Sequence, residues 1–189
     1  LQYYERILMI RLLIFLTIIF SSLQSLSLEV TLTQGSVKPT PIAITSLFSN
    51  NSQYEKIGKN ISGVISDNLE RSGLFIPLDQ KAFIQSNKSL SEQPRFEDWK
   101  LIKAQHLVAG KISGSNGKIS IEFRLYDVFQ QKQLVGRKYE TNEKNWRRVA
   151  HIISDSVFKN ITGEGGYFDT RIVYVAETGP KENKQKRLA

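Results

Sequence analysis

The chain has 189 residues, no cysteine, and 26 Lys and Arg against 18 Asp and Glu, for a net charge of +8. That length accommodates one domain and a piece of another, and 40% hydrophobic with 23% charged residues suits a packed core, so disorder is not the default. The missing cysteines exclude a disulfide framework and a thiolate zinc site. The scattered basic residues argue against a phosphate-binding footprint, since the one dense group, Lys181, Lys184, Lys186 and Arg187, sits in a polar tail broken by Glu182.

The chain opens with Arg6 and Arg11 around the single Met9, an apolar run over residues 12–20, and a Ser-rich stretch ending in Ser25 and Ser27. A positive end, a short apolar run and a small-residue site make a signal peptide over residues 1–27, cut before Leu28, with the residues ahead of Met9 read as an upstream extension. The run falls short of the ~20 apolar residues a membrane-spanning helix needs, so no stable span is expected after cleavage. Residues 28–34 then alternate apolar and polar side chains as a half-buried strand does. Pro39 and Pro41 cannot donate to a ladder, which marks residues 35–41 as a linker or a sheet edge.

Residues 42–48 read as a buried strand and 49–53 as a polar turn. Ile57, Ile61, Val64, Ile65 and Leu69 line one face of a helix that Gly73 stops. A short strand at 74–78 precedes Asp79, placed to cap a brief helix through Phe83 and Ile84. Residues 85–94 are polar and are expected to be loop, and residues 96–104 carry Phe96, Trp99, Leu101 and Ile102 near helical spacing. A strand at 106–113, the turn signal Asn116-Gly117 and arms at 118–128 and 133–141 give a meander, because a type I′ turn needs positive φ at both central positions. Trp146, Val149, Ala150, Ile153, Val157 and Ile161 then share a face of a helix over 145–161, closed by Gly163. The order predicts an α/β fold, a mixed sheet with two main helices.

Beyond Gly166 a strand is expected at 171–176, followed by a turn at Gly179-Pro180 and a polar remainder. This leaves the strand an unpaired edge, with an aggregation hazard unless it packs on the domain.

Catalytic chemistry finds little support. His106 falls in a strand and His151 on a helix, with no second His or Cys at ligand spacing. His151 and Asp155 lie one helical turn apart, which permits a hydrogen bond of the kind common on surfaces. Gly163, Glu164, Gly165 and Gly166 follow a helix instead of preceding one, so they lack the helix N-terminus that cradles phosphate and read as a cap and hinge. Asn60-Ile61-Ser62 and Asn160-Ile161-Thr162 match glycosylation acceptors but fall inside helices. No catalytic residue, metal ligand or cofactor site is assigned.

Several dispersed motifs in one order resemble the N-terminal part of the TolB family of the Tol-Pal cell-envelope system. They are the run from Asp67 through Ser72, Gly73 and Phe75 to Leu78, Trp99 with Gly110, Leu125-Tyr126-Asp127, and the stretch from Arg148 to Val175. The resemblance implies an α/β domain over 28–165 and then a six-bladed β-propeller, of which 166–189 would be a truncated start. It further implies a periplasmic, Sec-exported, non-enzymatic adaptor joining inner-membrane TolA to the outer-membrane lipoprotein Pal, for envelope integrity and constriction at division. The family's TolA-binding segment carried onto this chain is Glu29, Val30, Thr31, Leu32, Thr33 and Gln34, while Pal binds the propeller and so is not expected to bind this stretch. A short alternating strand on a Gly and Pro tether suits pairing with a partner's sheet edge, although it could equally complete its own sheet. The competing reading is a basic nucleic-acid-binding α/β domain. Export separates the two, and no nucleic acid partner is expected of an exported chain.

Overall fold

The computed structural model describes residues 4, 38–90, 93–170, 175–180 and 184–188. Apart from Tyr4, the signal peptide expected at 1–27 with its cleavage residues Ser25, Ser27 and Leu28, and the partner segment expected at 29–34, lie outside the described residues. All elements below belong to the unit spanning residues 37–189.

Strand β1 (Thr40–Ile44) leads through a turn into α1 (Ser52–Arg71), and Asn51 caps that helix by accepting the Gln53 amide. Ile57, Ile61, Ile65 and Leu69 are buried along one side of α1, as their spacing predicts. Gly73, at φ 73°, turns the chain into β2 (Phe75–Pro77). Asp79 caps a 3-10 turn (Gln80–Ala82), and the short helices α2 (Asn87–Leu90) and α3 (Phe96–Leu101) follow. The meander is β3 (His106–Ser115), β4 (Lys118–Asp127) and β5 (Lys132–Asn142). Asn116 and Gly117 take φ 52° and 74° in its first turn. A 3-10 turn (Glu143–Asn145) feeds α4 (Trp146–Thr162), and β6 (Val175–Thr178) and β7 (Gln185–Leu188) complete the described elements.

The sheet runs β2-β1-β3-β4-β5, parallel across β2, β1 and β3 and antiparallel from β3 to β5. The α/β mixed sheet with two main helices is therefore the fold. Alternation sends β4's Ile119, Ile121, Phe123 and Leu125 to the face covered by α1 and α4. The other face is covered at one end by Trp99, Leu90 and Ala104 over Ala43, Leu107, Ala109 and Tyr126. Between Leu125 and Tyr126 the register with β5 shifts, and both Leu134 and Val135 pack on the larger core, as a bulge permits.

Four expectations require correction. Pro41 lies in a strand paired on both sides, not in a linker or edge. Bonds from the Thr40 amide to Leu74 O (2.8 Å) and from the Leu78 amide to Ile42 O (2.9 Å) tie β1 to β2. On the other side the Pro41 carbonyl accepts from the Gln105 amide at 3.0 Å, just before β3 begins, so the missing Pro41 N–H interrupts no ladder. The strand expected to reach residue 48 stops at Ile44, with Phe48 forming only a single bridge to Lys111. The polar stretch 85–94 is not simple loop, because Gln85 and Leu90 are buried and α2 forms within it. Leu101 ends α3 and is 74% exposed, because the chain turns at Lys103 (φ 60°) and buries Ala104 instead.

Of the strand expected at 171–176, residues 171–174 lie outside the described residues, and the last two fall in β6, which is not unpaired. β6 pairs antiparallel with β7, from Val175 opposite Leu188 to Thr178 opposite Gln185. Lys184 (2.8 Å) and Lys186 (3.3 Å) both reach the Glu177 carboxylate and hold it below its ordinary pKa.

Candidate functional site

No described residue belongs to the segment expected to bind a partner. Five residues separate Gln34 from Thr40, the first residue of β1. β1 itself is held between β2 and β3. The free sides of the described sheet belong to the three-residue β2 and to β5. Along β5 run Lys132, Arg137 and Lys138, charges that discourage indiscriminate strand pairing.

The histidines and Asp155 do not assemble the pair that helical spacing allowed. His151 Nδ1 lies 2.9 Å from the side-chain nitrogen of Asn68, which also donates to Ser154 Oγ at 2.9 Å. Arg71 donates to the carbonyl oxygen of the same amide at 2.8 Å. Asn68 is only 1% exposed, so burial of its amide is compensated at both ends, and the network staples α1 to α4. His106, at the start of β3, is mostly buried, and its Nδ1 has no hydrogen-bond partner among the described residues. Burial pushes its pKa down from 6.5, against the opposing pull of Asp127.

Asp155 instead holds the chain as it leaves the domain. Its two carboxylate oxygens accept the backbone amides of Phe168 (2.7 Å) and Asp169 (3.0 Å). Gly163, at φ 81°, ends α4 and donates to Lys159 O at 2.9 Å. Gly166 passes so close to α4 that a Cβ there would lie 2.5 Å from Asp155 Cα. Phe158 meets the rings of Tyr167 and Phe168 edge-on at 5.6 and 5.8 Å, and Arg148 pairs with Asp169 at 3.4 Å. The glycine-rich stretch is thus a cap, as expected, but its far end is fixed to the helix it follows. Sequence reasoning missed this role for Asp155, because its partners are backbone groups 13 and 14 residues away and leave no side-chain signature.

Among the described residues no group of three or more His, Cys, Asp or Glu is placed to hold a metal ion, and no helix is long and apolar enough to cross a membrane. Among the described residues the arrangement offers sheet edges at β2 and β5 and a fixed exit from α4.

Comparison with known proteins agrees with the motif resemblance. The TolB amino-terminal domain family matches residues 28–134. The Tol-Pal system protein TolB of Paramagnetospirillum magneticum is 48% identical over 162 residues, covering 85% of this chain and 36% of that protein. The chain therefore spans about a third of the length of that curated relative. The crystal structure of TolB from Acinetobacter baumannii superposes with a TM-score of 0.63 at 24% identity, over 80% of this chain and 36% of that one, and supports the fold.

Proposed function

The chain belongs to the TolB family of Tol-Pal system proteins, and from that premise we propose that it supplies the docking domain of a non-enzymatic periplasmic adaptor. In this reading residues 1–27 direct Sec export, residues 28–165 form the docking domain and residues 166–189 begin a propeller domain. Glu29, Val30, Thr31, Leu32, Thr33 and Gln34 engage TolA. In relatives that carry a complete propeller, that second domain receives Pal, so the adaptor links the inner and outer membranes and supports envelope integrity and constriction at division.

The observation that carries the reading is the 48% identity to a Tol-Pal TolB across 162 residues. Physical support comes from the anchoring of β1. A ribbon that precedes an interior strand can be lent to a partner's sheet edge without loosening the domain, because β1 keeps both of its neighbours. Backbone bonds then supply affinity, and the alternation of residues 28–34 supplies register.

The test is capture of the full chain by the C-terminal domain of TolA, compared with a chain lacking residues 29–34. Capture should be lost on deletion while the far-UV circular dichroism stays that of the folded domain. Undiminished capture refutes the placement of the segment. Export is tested separately by fusing residues 1–40 to a reporter active only outside the cytoplasm.

A further inference from the structure

A helix that merely ends needs only its αL glycine, and Gly163 already fills that place. Residues 164–169 go further. After the stop, the chain doubles back along α4 far enough for the Phe168 and Asp169 amides to reach Asp155, two turns before the helix end. Thr162 Oγ1 donates to Phe158 O at 2.8 Å and accepts the Glu164 amide at 3.1 Å, which starts the reversal. Gly166 leaves no room for a side chain against Asp155, and Phe158 presents its ring to both Tyr167 and Phe168. Phe158 is 3% exposed and also meets Phe75 of β2 at 6.1 Å, so the strap's aromatic contacts continue into the sheet core.

We infer that residues 163–169 are a latched strap and not a free hinge, with Asp155 the positioning residue that fixes the direction in which the chain leaves α4. A carboxylate accepting two backbone amides makes charge-assisted bonds, stronger than neutral ones. It satisfies two donors that a glycine-rich linker would otherwise leave to water. The direction in which the chain leaves at Asp169 is then set by α4, and a pull there is delivered to α4 and through Asn68 to α1. The inference concerns the exit of the domain and does not depend on what the leading segment binds.

The test is amide hydrogen exchange followed by NMR on the full chain, comparing the parent with D155A, D155N and G166A. The Phe168 and Asp169 amides should be protected in the parent and exchange about tenfold or more faster in D155A and G166A, while β3 and β4 amides keep their protection. D155N, which preserves volume but offers one acceptor oxygen, should release one of the two amides more than the other. If D155A also loses sheet protection, the comparison of D155N with the parent decides. Equal exchange of both amides in the parent and D155N, or no protection in the parent, overturns the latch.

Discussion

The two faces of the sheet are made from the same strands yet are built differently. On one, α1 and α4 cover the sheet along its length and bury Ile121, Phe123, Leu125, Ile61 and Ile153 completely. On the other, short helices and a loop cover one end only; Arg124 lies opposite Ala109, and beyond it the strands carry Lys111 and Glu122, paired at 3.2 Å. The helical face owes its closure to side-chain volume. The other face depends on a polar organiser: Gln85, 3% exposed, accepts from the Arg95 amide (2.9 Å) and Trp99 Nε1 (3.2 Å) and donates to Gln93 O (2.9 Å). An irregular segment can cover a sheet when one buried amide replaces the backbone bonds that a helix would have made for itself.

That contrast can be broken most directly at Phe123, which is fully buried and stacks on Tyr139 at 6.2 Å. Phe123→Ala should cost about 3–5 kcal/mol in urea unfolding, and a cost near that of a surface substitution would mean the helical face is not the stability-determining one. Gln85→Ala should cost less, roughly 1–3 kcal/mol for orphaned donors. Its hydrogen-exchange signature should be confined to residues 85–102, and spread of that signature into α1 would show the two faces to be energetically continuous. The smallest effect is expected at His106. Its folded pKa lies below the ordinary 6.5, so below pH 6.5 the unfolded chain takes up a proton that the folded chain resists, and stability falls as pH drops through that window toward the folded pKa. His106→Gln should flatten that part of the stability-pH curve, and an unchanged slope assigns it to other groups.

Much of this was legible residue by residue. The alternation in β4, the face of α1, the stop at Gly73 and the turn at Asn116-Gly117 follow local rules, and each element formed within a few residues of its expected bounds. The misreadings share a cause. The missing donor of Pro41 points to a linker or edge, whereas its place in the sheet depends on where β3 starts. The polarity of Gln85 points to a loop, whereas Trp99 and Arg95 give its amide partners in the core. The expectation of an unpaired strand at 171–176 rests on the polar residues after Pro180, whereas Glu177 gathers Lys184 and Lys186 across the pair of β6 and β7. The proposed docking segment at residues 29–34 rests on the family resemblance, and the structure describes only the interior strand β1 that follows it in sequence.

By itself the sequence determined the α/β class, the order of the two main helices and the strands of the main sheet, and the family, because periodicity and capping act over a few residues and motifs persist in order. Only the tertiary structure decided which polar groups are buried and how the chain leaves the domain. The bonds of Asp155 and Gln85 join residues that no periodicity connects, and their worth depends on exclusion of water, which arises only once the sheet and helices have packed.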